Sequence, residues 1–325
     1  MSTGPLSNRR TALVLGAGGL VGEAYEAGVL SALHDALDWD ARAADLIVGT
    51  SAGSLAGTLL RCGLAPKDLF AFETSRSLSA EGNGLLSKIG PMSGGRPSMR
   101  FPRRPRIPSP ALFARAMRHP WTTRAALLCA ALPVGRMDTA PYASKLRMLT
   151  GDRWPESDLW IVAARVPSGR RVTFGSEGCP PCDVPLAVSA SCAIPGVFAP
   201  VNIDGRMYMD GGVHSPTNAD LLVDGGFDTV VIVSPMSATR PSLRNARVNP
   251  IRIFFRALLA AEVRRLRATG AEVVVFQPTA AEQRVMGVNG LDQGRCARVA
   301  ELARETTLTR LDGPHLRDVG DRLAA

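Results

Sequence analysis

Aromatic side chains are scarce in this 325-residue chain, at 5%, and there are only four histidines. No apolar run reaches the roughly 18–20 residues that a membrane-crossing helix needs, which excludes a bundle of such spans. Six cysteines are too few for a disulfide-built scaffold of this length. Cys62, Cys129, Cys192 and Cys296 sit among apolar or small residues and read as buried thiols. Cys179-Pro180-Pro181-Cys182 has the spacing of a redox or half-zinc motif. It lacks a second pair or a nearby histidine, so it reads as a structural loop, and no metal or other cofactor is expected. The shortage of aromatics and the lack of any recognition module also argue against nucleic-acid binding.

Ala, Leu, Val and Gly are abundant, and hydrophobic residues make up 46% of the chain. That composition suits helices packed closely on a parallel sheet. Arg9-Arg10 precedes the apolar stretch Thr11–Val21 and imitates a secretory or twin-arginine signal. The glycines in that stretch and Glu23 just after it point to a strand and loop of the fold, hence to a cytoplasmic protein. The formal net charge of +9 is concentrated between Arg76 and Arg124, where ten Lys or Arg face a single Glu81. Pro91, Pro97, Pro102, Pro105, Pro108 and Pro110 fall in the same stretch, so a basic insertion without regular structure is expected at about 76–124. It reads as a solvated excursion, or as a lid or docking arm making peripheral contact with an anionic membrane surface.

Pattern and turn chemistry predict strands at Thr11–Leu15, Leu46–Val48, Leu159–Arg165, Arg171–Phe174, Thr229–Val233 and Glu272–Gln277. Helices are expected after Gly19, with apolar or small residues at Ala24, Ala27, Leu30, Ala32 and Leu33, and at Ser54–Leu60, Ala111–Leu132, Leu186–Ser191, Pro216–Val223, Arg252–Ala268 and Gln293–Leu311. The alternation implies an α/β fold with a mainly parallel central sheet covered by helices on both faces. Residues 11–311 read as one domain, with a flexible N-terminus at 1–10 and a tail at 312–325.

Chemistry concentrates in Gly49-Thr50-Ser51-Ala52-Gly53, a G-x-S-x-G turn between a strand and a helix. A nucleophilic serine needs this sharp turn, and side chains at Gly49 and Gly53 would clash with neighbouring backbone. The bland alternative is an ordinary tight turn. Gly16-Ala17-Gly18-Gly19-Leu20-Val21-Gly22 ends the first strand and opens a helix. A dinucleotide fingerprint would require glycine where Val21 stands. Amides at Gly16, Gly18 and Gly19 read instead as an oxyanion hole, or as a plain turn.

A serine nucleophile needs a base. His34, His119 and His315 do not fall at strand ends, and His214 follows Asp210 by only four residues. Asp210, at a predicted strand end before the turn glycines Gly211 and Gly212, is the stronger candidate for a Ser-Asp dyad. A Ser-His-Asp arrangement using His214 is the other candidate.

These pieces, in this order, resemble the patatin-like phospholipase family: the Gly16–Gly22 loop, the Gly49–Gly53 elbow, Ala190–Val201, Asp210-Gly211-Gly212 and Ser215–Asp220. The resemblance covers roughly residues 11–75 and 135–300. It implies a three-layer α/β/α sandwich and hydrolysis of lipid or other acyl esters without a metal. It also implies Ser51 as nucleophile, Asp210 as base, and an oxyanion hole around Gly18 and Gly19. Val21 departs from the family, in which Arg or Lys is common at that position. A weakly active or inactive membrane-binding protein on the same fold is therefore the runner-up.

Overall fold

Short apolar runs rich in Val, Ile and Leu become the strands of one eight-stranded sheet. The computed structural model describes residues 9–89, 135–151, 153–239 and 250–312. Its strands are β1 (Thr11–Leu15), β2 (Leu46–Thr50), β3 (Asp158–Arg165), β4 (Arg170–Phe174), β5 (Val201–Ile203), β6 (Arg206–Asp210), β7 (Thr229–Val233) and β8 (Glu272–Phe276). The helices are α1 (Gly19–Leu37), α2 (Ala52–Arg61), α3 (Pro66–Glu73), α4 (Ala80–Ile89), α5 (Ala140–Thr150), α6 (Val184–Ser191), α7 (Pro250–Ala268), α8 (Ala280–Met286) and α9 (Cys296–Leu311).

The parallel part of the sheet runs β3-β2-β1-β7-β8. β4 and β6 pair antiparallel with β3, and β5 pairs antiparallel with β6. Alternation along the strands divides the core in two, as the two-residue period of a strand requires. Leu13, Leu15, Ile47, Val231 and Val233 pack toward α1, α2, α3 and α9. Ala12, Val14, Val48, Val230 and Ile232 pack on the other side, against Leu259, Val263 and Leu266 of α7. The result is a three-layer α/β/α sandwich with a mixed, mostly parallel sheet.

α1 is buried at every position from Val21 through Leu33. A helix enclosed on all sides needs small residues where its neighbours come closest. At Gly28 an added Cβ would lie 2.3 Å from the Ala300 carbonyl of α9. The chain leaves β1 for β2 on one side and reaches β7 on the other, so strand order reverses at β1. In open α/β sheets a ligand crevice forms at the carboxyl ends of strands beside such a reversal.

Several sequence expectations change here. Pro216–Val223 is not a helix: only Ala219–Leu222 makes a 3-10 turn, because Asn218 takes a left-handed conformation at φ 52°. Residues 80–89, placed in the irregular basic stretch, form α4, since the prolines begin only at Pro91. Arg10, assigned to the flexible end, is tied down by hydrogen bonds to Asp228 and Gly225 and lies over the Phe227 ring. Helices α3, α4, α5 and α8 and strand β5 were not anticipated. The helix expected at Ala111–Leu132, most of the basic insertion and most of the tail lie outside the described residues. Among the described residues, no helix is long and apolar enough to cross a membrane.

Candidate active site

β2 ends at Thr50 and α2 starts at Ala52, leaving Ser51 alone in the turn. Its backbone sits at φ 55°, ψ −117°, a region costly for any residue with a side chain. Neighbouring contacts hold it there. The Ser51 N–H donates to Ser191 Oγ at 2.8 Å, and that hydroxyl donates to the Val162 carbonyl at 2.7 Å. The Ser51 carbonyl accepts from Ser54 N at 2.9 Å and Ser54 Oγ at 2.6 Å. The flanking glycines are required sterically. A Cβ on Gly53 would stand 2.1 Å from the Leu15 carbonyl, and one on Gly49 would stand 2.5 Å from the Gly53 carbonyl.

Asp210 reaches the same point along β3. Thr50 pairs with Val162 of β3, and Asp210 pairs with the next residue, Ala163. β4 takes the opposite edge over this stretch, so β2 and β6 share one edge end to end, running toward each other. The residue after β2 and the last residue of β6 therefore meet. The Ser51 side chain stands beside the Asp210 carboxyl and pulls its pKa down. Gly212 N–H donates to Asp210 Oδ1 at 2.7 Å, and a Cβ on Gly211 would stand 2.4 Å from the Val162 carbonyl. Burial pushes the Asp210 carboxyl up to about 6, against the opposing pull of Ser51 and of the Gly212 N–H.

The glycine loop closes the third side. Gly16 N–H is committed to the Val233 carbonyl at 3.0 Å and Ala17 N–H to the Pro216 carbonyl at 2.8 Å. Gly16 thus shapes the loop instead of donating into the site, and its own carbonyl receives Gly53 N–H at 3.2 Å. Gly18 and Gly19 open α1, and among the described residues their amides meet no acceptor, as expected for a helix start. Gly19 needs its glycine at φ +64°, where a Cβ would also lie 2.6 Å from the Gly290 carbonyl. Val21 points into the core at 2% exposure, so it brings no charge to the loop.

His214 acts on the carboxyl of Asp220, which is held low chiefly by Arg171, with further help from His214 and Arg265. His214 is absent from the pocket into which Ser51 opens. That pocket holds about 580 Å³ counted to its open mouth and is walled by Leu20, Leu55, Leu146, Val188, Ile194 and Phe198. Its apolar lining suits the hydrocarbon part of a small-molecule ligand. Cys192 also lines it, its thiol pushed up by burial and by the charge of Asp210. Cys179 and Cys182 lie in a loop as free thiols. Among the described residues no three His, Cys, Asp or Glu are grouped to hold a metal ion.

Residues 13–223 match the model of the patatin-like phospholipase family, which spans more than half of the chain. The chain belongs to the patatin-like phospholipase family. Membership in this family supports lipid acyl hydrolase activity in general, with lipids as substrates. Among solved structures, the chain is similar to VipD from Legionella pneumophila. Identity is 14%, the likeness covers 94% of this chain and 67% of that one, and the TM-score is 0.44. The family assignment rests on the family match alone.

Three contributors to the patatin-like site were not picked out from the sequence. Ser191 lies in the quoted Ala190–Val201 block, yet nothing local marks it as the acceptor for an amide far away in the chain. Asn218 donates through Nδ2 to Thr50 Oγ1 at 3.1 Å and so ties the turn after β6 to the residue before Ser51. Glu23 lines the pocket as a buried carboxyl. Its place one residue after a glycine loop, on a helix that is mostly apolar, was the available signal.

Proposed function

We propose that the protein is a serine acyl-ester hydrolase acting on lipids, with a Ser51–Asp210 dyad. The observation that carries this reading is Ser51, held at a strained elbow beside a buried carboxyl and lining an apolar pocket. Asp210 takes the Ser51 proton as Oγ attacks the ester carbonyl, and the Gly18 and Gly19 amides receive the developing oxyanion. Asp210 returns the proton to the departing alcohol, leaving an acyl-enzyme. It then takes a proton from water, which attacks the acyl carbonyl, and passes that proton to Ser51 Oγ as the acyl bond breaks, freeing the fatty acid and restoring the Ser51 hydroxyl. A carboxyl raised to about 6 is a better base at neutral pH than one of ordinary acidity, and is still ionised there.

The test is hydrolysis of p-nitrophenyl esters of graded chain length by the wild type, Ser51→Ala, Asp210→Asn and His214→Ala. Near-total loss is expected for the first two variants and substantial activity for the third. A folded but inactive His214→Ala protein would overturn the dyad, and turnover surviving Ser51→Ala would remove the serine mechanism. The proposal extends to peripheral membrane contact through the basic residues of 76–124. It expects salt-sensitive binding to anionic vesicles, and equal binding to neutral vesicles would refute it.

A further inference from the structure

Glu23 is the carboxyl that lines the pocket, and the dyad has no use for it; Thr139 and Ser189 add hydroxyls to the same lining. Glu23 stands in the first turns of α1 at 5% exposure and lines the same cavity as Ser51, among Leu20, Leu55, Leu146 and Val188. Among the described residues, no cation and no hydrogen-bond donor meets its carboxyl. The group that faces it from α3 is Glu73, a second carboxyl, which burial pushes up to about 7. Glu26, one turn further along α1, is a third, raised chiefly by burial and then by Glu23 against the pull of the Gly16 amide. The thiols of Cys192 and Cys296 also lie within its electrostatic reach. Burial first, and the charge of Glu73 second, raise Glu23 well above the usual carboxylate range. Held neutral, a carboxylic acid presents one O–H donor and a carbonyl acceptor. A plain hydrocarbon chain in this pocket would satisfy neither.

We propose that Glu23 makes the enzyme selective for acyl groups bearing a hydroxyl a few carbons from the ester carbonyl. The placement follows from the helix. Glu23 lies about 6 Å along the axis from Gly19, and α-helical side chains lean back toward the N-terminus. The carboxyl therefore reaches a substituent near the reacting carbonyl, not one at the far end of the chain. A site built to hydrogen-bond a substrate hydroxyl discriminates strongly against the analogue that lacks it, because its own polar group is then left unpaired.

This inference rests on the esterase reading, so its test has one arm that needs turnover and one that does not. In the first, kcat/KM is measured for p-nitrophenyl decanoate and 3-hydroxydecanoate with the wild type, Glu23→Gln and Glu23→Leu. The wild type should prefer the hydroxylated ester by about tenfold or more. Glu23→Gln should keep the preference, since an amide also donates and accepts, and Glu23→Leu should abolish or reverse it. In the second arm, binding of decanoate and 3-hydroxydecanoate is compared by calorimetry on Ser51→Ala and on Ser51→Ala/Glu23→Leu. The hydroxyl preference should appear only with Glu23 present. A hydroxyl-to-plain ratio that is the same with Glu or Leu at position 23 would overturn the assignment in either arm. Turnover that persists in Ser51→Ala would instead remove the esterase reading, and the binding ratio would still judge Glu23.

Discussion

Replacing Asp210 by Asn should destroy turnover and yet stabilise the fold at alkaline pH. The carboxyl is 5% exposed, and burial raises it to about 6 from an ordinary value of 3.8. Because the folded value lies above the unfolded one, the stability linked to this group is complete below about pH 4 and is lost as pH rises through about 6. A shift of roughly two units at 1.36 kcal/mol each puts the loss at about 3 kcal/mol at pH 8. Asn removes the charge and keeps an acceptor for Gly212 N–H, the bond now made at 2.7 Å. Burying the amide offsets part of the benefit, so the net gain should be about 1–3 kcal/mol. For a chain of this size that corresponds to a Tm increase of about 2–5 °C. Urea unfolding of the wild type and Asp210→Asn at pH 8, 6 and 4 would measure it. The difference should be largest at pH 8, shrink through pH 6 and vanish near pH 4. An Asn variant that is less stable at pH 8, or a gain that persists unchanged at pH 4, would refute the reasoning.

Three other outcomes are expected. In pH–rate profiles, kcat/KM should rise to a plateau through an apparent pKa near 6, since Asp210 must be ionised to act as the base; a limb abolished by His214→Ala would point to histidine instead. Ser191→Ala leaves the buried Ser51 N–H and the Val162 carbonyl without their shared partner. It should cost about 1–3 kcal/mol in denaturation and lower kcat more than it alters KM. Gly53→Ala drives a Cβ to 2.1 Å from the Leu15 carbonyl, so it should yield little folded protein by circular dichroism; a Tm within a degree of wild type would contradict the steric argument.

What could be read directly from the sequence was whatever repeats locally. Thr229–Val233 is a run of Thr, Val and Ile, buried throughout in the structure, and its pattern needs no partner to be recognised. Gly49 and Gly53 were readable because a tight turn imposes its constraint within five residues. α8 had its signal too, a Thr279/Glu282 capping box, but the helix is short and the box went unread. α5 carries exposed residues such as Met148 and little periodic contrast, so propensity alone does not mark it. Asn218 adopted a left-handed conformation that a helical pattern over Pro216–Val223 concealed. The Ser51–Ser191 bond joins positions 140 residues apart, and no local pattern encodes such a partnership. Gly16 shows the opposite limit: its place in the loop was readable, while the commitment of its amide to Val233 depends on a strand met only much later in the chain.

Because Thr50 and Asp210 occupy adjacent rungs on one edge of β3, the spacing of the proposed dyad is set by sheet hydrogen bonds and not by the chain that joins its members. Segments between Ser51 and Asp210 that touch neither residue are free to lengthen, shorten or change charge without detuning that spacing, whereas the end of α6 must keep Ser191, which holds the Ser51 amide. Evolution or an engineer can thus rewrite the pocket wall of α5 as an interchangeable substrate module on a fixed chassis. Deletions there should change which ester is chosen before they change whether an ester is cleaved.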